Sequence, residues 1–285
     1  MLAAIPLYLA SARRVIRRTG TRDLRVRLMR REERLVFVVG SPRSGTTFLA
    51  RAIGSAPGFI DLTEVTPLKA AIPELAAMPV PQAASQIRRI LERVRLLSLA
   101  RGARGVEQTP ETAFVLAAAL RAYPEARAVH VVRDGRDVVC SLLERGWLNA
   151  NRDGGDDARA TYGSDARFWV DPTRAVEFSQ ASDARRAAWA WRTYVSTARS
   201  VSDRVLEVRY ASLVADPRAT AEAVAAHLGA PAEPFISAFS EVHDRSIGRF
   251  AVDLTPEQLA EVESEAGPLL EELGFLLAST SIRDS

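Results

Sequence analysis

The most unusual shortage in this 285-residue sequence is lysine. Lysine and arginine together number 38, and because Lys69 is the only lysine, 37 of these residues are arginines. A Walker-type phosphate lysine, a lysine Schiff base or a Ser–Lys pair is therefore excluded at every position except Lys69. Arginine stays charged and makes forked hydrogen bonds to phosphate-like anions. We therefore expect arginines and backbone amides to bind any phosphate or sulfate group.

Cysteine and histidine are also scarce. Because Cys140 is the only cysteine, an internal disulfide and a multi-cysteine metal site are excluded. The three histidines are scattered at positions 130, 227 and 243, so we expect no metal site. These shortages fit a protein of the reducing cytoplasm. With 47% apolar and 26% charged residues, the chain has the composition of a folded globular protein.

Positive charge is concentrated near the N-terminus. Residues 13–34 have a net charge of +7 in a chain whose total is +3, and residues 1–10 before them are largely apolar. The apolar run is too short to span a bilayer, and it precedes the charge, unlike a signal peptide. Two interpretations remain: a helix packed on the protein with solvated arginines, which we favour, or a basic helix on an anionic membrane surface. Nucleic acid is disfavoured because aromatic residues are not interleaved.

The remainder of the chain alternates between short apolar runs and helical patterns. Strands are predicted at 35–39, 59–62, 104–107, 128–132 and 205–208. Helical spacing between them predicts a parallel sheet covered on both faces. We therefore expect an α/β fold, a P-loop-like three-layer arrangement with a central parallel sheet flanked by helices. Residues 35–285 form this domain, and residues 1–34 form a separate basic helical segment.

Residues 40–47, GSPRSGTT, follow the first predicted strand with the spacing of a phosphate-binding P-loop. Backbone N–H groups of such a loop converge on an anion, and the following helix directs its positive end toward it. Thr46 occupies the position of the usual lysine, and the cation is Arg43 instead. Thr47 occupies the position of the Mg²⁺ ligand, but a triphosphate would lack its lysine clamp. The loop therefore favours a smaller, less charged anion.

The sequence PRSGTT after a buried strand resembles the 5′-phosphosulfate loop of sulfotransferases that use 3′-phosphoadenosine 5′-phosphosulfate (PAPS). Residues 131–141, VVRDGRDVVCS, resemble the 3′-phosphate segment of the same family. The resemblance, closest to bacterial relatives of the protein-tyrosine and carbohydrate enzymes, implies that Arg133 and Ser141 bind the 3′-phosphate. It assigns donor binding in the loop to Arg43, Ser44, Gly45, Thr46 and Thr47.

Two further segments resemble this family more loosely. Residues 208–213, VRYASL, are similar to the family's RYEDL segment, with Ala211 in place of the acidic residue. Residues 246–250, SIGRF, resemble its S-[IV]-G-R-W segment, with Phe250 in place of tryptophan. The resemblance implies that four more residues contact PAPS: Tyr210, Ser246, Gly248 and Arg249. It extends from residue 35 to residue 250.

Two carboxylates are candidates for the catalytic base. Glu64 follows the second predicted strand, where the resemblance to protein-tyrosine sulfotransferases implies a catalytic glutamate; a helix-capping or surface role is the alternative. Glu107 competes with it, in a segment that resembles the family's [DE]-K-T-P but has Gln108 in place of lysine. In carbohydrate sulfotransferases, the resemblance implies that this lysine assists the leaving group. Here that role would pass to Arg43 or to Lys69. A solvated position on a helix is our expectation for Lys69.

The motifs together predict transfer of a sulfuryl group from PAPS, with PAP as product, to a hydroxyl of a small-molecule or peptide acceptor. Natural products, sugars, lipids and tyrosine are the acceptor classes considered, with a pocket built from residues 67–103 and 149–182. The alternative is a P-loop small-molecule kinase or nucleotide-binding protein, disfavoured by Thr46 and by the lack of a Walker-B carboxylate other than Asp134. A third hypothesis is a non-catalytic nucleotide-binding protein that contacts a membrane through residues 1–34.

Overall fold

A computed structural model describes residues 5–276, with the exception of 21–24, 26–29, 159, 163–164 and 244–245. Within these residues, the strands are β1 (Val36–Gly40), β2 (Phe59–Thr63), β3 (Arg104–Glu107), β4 (Arg127–Val132) and β5 (Val205–Arg209). They form one parallel sheet in the order β2-β3-β1-β4-β5. The predicted α/β fold with a central parallel sheet is confirmed.

Among the described residues, the helices lie before, between and after the strands. In chain order they are α1 (Ile5–Thr19), α2 (Thr46–Ser55), α3 (Thr66–Ala76), α4 (Val80–Leu97), α5 (Leu116–Ala122), α6 (Gly135–Arg145), α7 (Ala175–Gln180), α8 (Asp183–Arg199), α9 (Tyr210–Ala215), α10 (Pro217–Leu228), α11 (Glu233–Phe239), α12 (Phe250–Asp253) and α13 (Pro256–Glu272). In the part of the chain that the structure describes, 3₁₀ helices span Pro110–Val115 and Pro172–Arg174.

Alternating side chains of the central strand β1 divide the core into two layers. Phe37 and Val39 pack with apolar side chains of α1, α3, α4, α5 and α8. Val36 and Val38 face the opposite side, where α2, α10 and α11 cover the sheet. A strand buried on both faces is expected to be a continuous apolar run, which explains why the sequence indicated β1 so clearly.

The pairing of β1 with β4 determines the position of the functional edge. Gly40, the last residue of β1, is in register with Val131, one residue before the end of β4. The loop after β1 and the residue after β4, Arg133, therefore leave the sheet side by side. This carboxyl edge is where open α/β sheets bind ligands.

The sequence patterns gave no bounds for six helices, although Lys69 was expected to lie on a helix: α3, α7, α9, α11, α12 and α13. Proline interrupts two of these patterns, because Pro73 lies inside α3 and Pro268 inside α13. The start of α13 does have a sequence signal, since Thr255 and Gln258 form a capping box. Val262 and Leu270 of this helix are buried in a cluster with α6 and α8.

Helix α1 packs on the body of the protein against β2, α3 and α4. Val15 is fully buried in the main core, and Arg18 forms an ion pair with the buried Asp61 at 2.8 Å. Arg22 and Arg27 of the predicted basic segment lie outside the described residues. In the described part of the chain, no helix has the length and apolarity required to cross a membrane.

Candidate active site

The loop between β1 and α2 packs directly against the ring of Tyr210. Gly45 has a φ of 102°, and a Cβ atom on it would lie 2.8 Å from a ring carbon of Tyr210. Only glycine fits this close approach and this backbone conformation. Arg43 also has a positive φ, 73°, which is uncommon for a side chain of this size. Strained residues of this kind cluster at functional sites.

Arg43 turns toward α6 and the residue predicted to share its ligand. Its Nε donates to Ser141 Oγ at 2.9 Å, and its guanidinium group lies 5.9 Å from the centre of the Trp147 ring. Burial lowers the pKa of Arg43, and the like charges of Arg145 and Arg133 lower it further. A half-buried cation whose hydrogen-bond partner is a hydroxyl is well suited to an anionic ligand.

Arg133 contacts both the loop after β1 and the segment around Ser246. Its Nη1 donates to the carbonyl of Arg43 at 3.2 Å, and its Nη2 donates to the carbonyl of Ser246. The guanidinium group lies 5.2 Å from the centre of the Tyr210 ring. Burial lowers the pKa of Arg133, although Asp137 at 3.8 Å opposes this shift. The structure thus brings together Arg43, Ser141, Arg133, Tyr210 and Ser246, five residues that are far apart in sequence.

The hydroxyl side chains of the loop occupy different environments. Ser44 is fully buried, and its Oγ has no hydrogen-bond partner among the described residues. Thr47 donates to Gln108 Oε1 at 3.3 Å, and both Thr46 and Thr47 line the main cavity. The first turn of α2, with its unpaired backbone N–H groups, therefore faces the same space as Arg43.

The SIGRF segment contacts the cluster mainly through its backbone. The amides of Gly248 and Phe250 donate to the carboxylate of Asp137 at 3.0 and 3.2 Å. Arg249 instead forms ion pairs with Glu144 and Asp253, and these hydrogen bonds raise its pKa. In this arrangement, Ser246 and Gly248 lie next to the Arg133 cluster, and the guanidinium of Arg249 is held by carboxylates.

A cavity of about 780 Å³ opens in front of the loop. Arg43, Thr46 and Thr47 form its floor, and α1, α3 and the segment after α6 form its walls. Aromatic side chains contribute much of the apolar lining, in particular Trp147, Trp169 and Tyr194. The volume is typical of a site for a small organic molecule.

Glu64 and Glu107, the two candidate bases, are in different surroundings. Glu64 lines the cavity together with Arg43, and its side chain is 35% exposed. Glu107 is fully buried away from the cavity, where it accepts hydrogen bonds from Thr109 N at 2.7 Å and Thr112 Oγ1 at 2.9 Å. Burial raises the pKa of Glu107 to about 7. Access to the cavity therefore favours Glu64.

Lys69 is not solvated, so that prediction is wrong. Its side chain is only 12% exposed and lies among four carboxylates. Its Nζ is 3.2 Å from Glu64, 3.3 Å from both Asp156 and Asp157, and 3.9 Å from Glu111. Burial alone would lower the pKa of Lys69, but the charges of Glu111 and Glu64 raise it overall. Lys69 therefore stays protonated and holds the segment around Asp156 against the cavity wall.

Comparisons with known proteins bear on the family and the fold. The sequence profile of the sulfotransferase family matches residues 36–234. The chain belongs to the sulfotransferase family. Sulfotransferase STF9 from Mycobacterium avium is similar to it, with a TM-score of 0.52 and 14% identity over 93% of this chain and 82% of that chain. The sulfotransferase domain from the curacin biosynthetic pathway has a TM-score of 0.51 and 16% identity over 86% and 98%. A comparison with curated protein sequences gave no match.

Family membership makes this protein an enzyme that transfers a sulfuryl group to an acceptor. The surroundings of Asp134 agree with it, because a kinase of the same fold would need a carboxylate free to bind Mg²⁺. Asp134 instead caps α6 by accepting from Arg136 N at 2.9 Å. Its carboxylate also accepts from Arg136 Nε at 3.0 Å and from Nη2 at 2.7 Å.

Sequence reasoning missed the contribution of α1 to the wall of the candidate site. Arg14 donates to the carbonyl of Glu64 at 3.1 Å, to Asp157 at 3.2 Å and to the hydroxyl of Thr66. Arg14, Arg17 and Arg18 all line the cavity. Their spacing of three and four residues places them on one side of a helix, and this was the available signal.

Proposed function

We propose that this sulfotransferase uses PAPS as donor and transfers its sulfuryl group in line to a hydroxyl of an organic acceptor. The observation that carries the proposal is the meeting of the loop, Arg43, Arg133 and Ser141 at one edge of the sheet, with Glu64 on the wall of the cavity in front of it. A base and an anion cradle on the same cavity are what this reaction requires.

In this proposal, Arg133 and Arg43 bind different anionic groups of PAPS. Arg133 and Ser141 bind the 3′-phosphate and thereby fix the register of the nucleotide, with Tyr210 beside them. Ser246 and Gly248 close over the nucleotide, and Arg249 contributes from the same segment. The orphaned hydroxyl of Ser44, the amides of Gly45, Thr46 and Thr47, and Arg43 bind the phosphosulfate group.

The carboxylate of Glu64 acts as the base. It accepts the proton of the acceptor hydroxyl while the acceptor oxygen forms a bond to sulfur. The bond between sulfur and the 5′-phosphate oxygen breaks, and the negative charge moves to that oxygen. Arg43 and the first amides of α2 stabilise this charge, so PAP and the sulfated acceptor are the products.

Arg43 is the residue best placed to stabilise the leaving group. Lys69 is surrounded by carboxylates, which disfavours a role as proton donor. Gln108 stands where carbohydrate sulfotransferases resemble one another in having a lysine, and here it accepts a hydrogen bond from Thr47. In this proposal Lys69 orients Glu64, and no metal takes part.

The acceptor is a hydroxyl-bearing natural product, sugar, lipid or tyrosine. The rings of Trp147, Trp169 and Tyr194 on the cavity wall favour an acceptor with an apolar or aromatic body. A screen with PAPS and a mixed panel of these classes, followed by mass spectrometry, identifies the preferred class by a mass increase of one sulfuryl group.

A thermal-shift comparison tests the choice of donor. We expect PAP to raise the unfolding temperature strongly and ATP with Mg²⁺ to raise it little, because the loop lacks the lysine clamp of a triphosphate. Strong stabilisation by ATP with Mg²⁺ and none by PAP would refute the proposal and favour a kinase.

The Glu64→Gln substitution tests the base. We expect turnover to fall by about 10²- to 10⁴-fold while the dissociation constant for PAP is unchanged, because the amide cannot accept the proton. Glu74→Gln, at an exposed position of α3, is the control and should leave both quantities unchanged. Normal turnover in the Glu64 variant would assign the base to another residue.

A further inference from the structure

Helix α1 has a second face that its role in the active site does not explain. Ile5, Leu9 and Ile16 are between 40% and 49% exposed, although all three are large apolar residues. At 100° per residue they lie within one narrow stripe of the helix. This stripe is adjacent to the buried face that contains Val15, and the exposed Arg13 lies next to it.

Helix α4 extends the same surface. Tyr8 of α1 lies under the guanidinium group of Arg93 at 5.9 Å, so the two helices pack side by side. The outer face of α4 has exposed arginines at 89 and 93, followed by Leu96 and Leu97 at 55% and 44% exposure. Exposed apolar residues scattered singly are ordinary, but two adjacent helices with this composition are not.

The charged side chains on this surface are all positive. Helix α1 contains no acidic residue, and the one acidic residue of α4 is Glu92. Its carboxylate is turned inward, where it accepts from Arg95 at 2.7 Å and from the hydroxyl of Tyr123 at 3.0 Å. The outer faces of the two helices therefore present aliphatic side chains and arginines, without a carboxylate.

We propose that the outer faces of α1 and α4 form a docking surface for an anionic lipid bilayer. Its apolar side chains are Ile5, Leu9, Ile16, Leu96 and Leu97, and its cations are Arg13, Arg89 and Arg93. Aliphatic side chains insert at the level of the headgroups, and long arginine side chains reach the lipid phosphates beside them. A second copy of this chain fits the surface less well, because two such faces would bring arginines against arginines.

The surface is held rigidly and lies next to the cavity. Val15 and the ion pair between Arg18 and Asp61 fix α1 to the sheet, so the stripe is part of the folded protein. Arg17, one residue after Ile16, lines the cavity. Docking would therefore place an opening of the acceptor cavity near the lipid headgroups.

Co-sedimentation of the full chain with vesicles tests this inference. We expect strong binding to vesicles of phosphatidylcholine with one third phosphatidylglycerol, and little binding to phosphatidylcholine alone. Raising the salt concentration should weaken the binding, because headgroup attraction is screened within a Debye length. Equal binding to both vesicles, or no binding to either, would overturn the proposal; the latter is the result expected for an acidic protein partner.

Substitutions on α1 and α4 test which residues form the docking surface. Leu9→Glu combined with Ile16→Glu should lower vesicle affinity by at least about tenfold, and Arg89→Gln should lower it about fivefold. Val176→Glu, at a 66% exposed apolar residue of α7, is the matched control and should bind like the original protein. Thermal unfolding with PAP checks that each variant is folded. An equal loss of vesicle binding in the Val176 control would overturn the proposal. So would a dimer of the original protein in analytical ultracentrifugation, if the Leu9 and Ile16 double substitution dissociates it.

Discussion

Arg43 and Arg133 are two cations brought together at the edge of the sheet, and Asp137, 3.8 Å from Arg133, balances them only in part. Burial lowers the pKa of both guanidinium groups, and the like charge of Arg133 adds to the shift of Arg43. An anionic ligand removes this repulsion when it binds. The free energy of binding therefore includes relief of an unfavourable arrangement that the fold imposes on the unliganded protein.

Arg133→Ala should weaken PAP binding by about 10- to 100-fold, because charge-assisted hydrogen bonds to phosphate are lost. Isothermal titration calorimetry measures the change. Arg218→Ala is the control, since Arg218 is an exposed residue paired with Glu222 on α10. Unchanged PAP affinity in the Arg133 variant would show that this residue does not bind the nucleotide.

Glu107 is a buried carboxyl group that the proposed chemistry does not use. Burial raises its pKa from 4.5 to about 7. Between these pH values, the folded protein holds a proton that the unfolded chain releases, so this group lowers the free energy of unfolding as the pH rises from about 4.5 to about 7. Below that window the group is protonated in both states and has no effect.

Glu107→Gln should remove this pH dependence, because the neutral amide occupies nearly the same volume. Relative to the original protein, we expect the variant to gain about 2 kcal/mol in free energy of unfolding between about pH 5 and about pH 8. Urea unfolding at both pH values measures the gain, with Glu74→Gln as the control. A stability difference that does not change with pH would contradict a raised pKa.

At the scale of elements, the loop after β1 depends on a close contact as much as on its sequence motif. Gly45 and Gly58 both have a positive φ, 102° and 80°. A Cβ atom on Gly45 would collide with the Tyr210 ring, whereas a Cβ atom on Gly58 would meet nothing within 4 Å. A side chain at Gly58 would therefore cause backbone strain alone, whereas a side chain at Gly45 would also displace the binding loop.

Gly45→Ala should weaken PAP binding by at least about tenfold, because the loop must move away from Tyr210 and its amides lose their alignment. Gly58→Ala should lower the free energy of unfolding by about 1 kcal/mol and leave PAP binding unchanged. Calorimetric titration and urea unfolding measure both effects. Equal PAP affinity in the two variants would mean that the contact with Tyr210 does not shape the loop.

The sequence predicted elements well where one local signal decided the structure. All five strands were predicted, most clearly β1 and β4, because central parallel strands are short runs of apolar, often β-branched residues; β3, with the sequence RGVE, has a weaker signal. The extent of α3 was not predicted because its stability comes from burying Leu68 and Ile72 in the core, and this tertiary contribution overrides the breaking effect of Pro73. Lys69 lies on this same helix, so its surroundings were also beyond sequence analysis.

At the scale of the whole molecule, the basic N-terminal segment is part of the folded body as far as α1 extends. Removal of residues 1–34 should lower the unfolding temperature by about 10 °C, because Asp61 would lose Arg18 and the core would lose Val15. Differential scanning calorimetry of the full and shortened chains measures the difference. Equal unfolding temperatures would support the division at residue 34 that the sequence predicted.

The site could be predicted from the sequence only in part, because it combines motifs with contacts between distant segments. Arg43 and Ser141 were each indicated by a motif, and the structure joins them by a hydrogen bond. No spacing predicted that Arg14 would reach Glu64, or that Asp157 would reach Lys69, since these pairs depend on how α1 and the segment after α6 fold over the sheet.

The scarcity of lysine has a practical consequence. Lys69 is the only lysine and is 12% exposed, with its ammonium group among carboxylates. A lysine-specific protease can therefore cut this chain at one bond only, and that bond lies in α3 on the wall of the cavity. The rate of this single cleavage therefore reports local unfolding of α3 around Lys69, and electrophoresis measures it without any label.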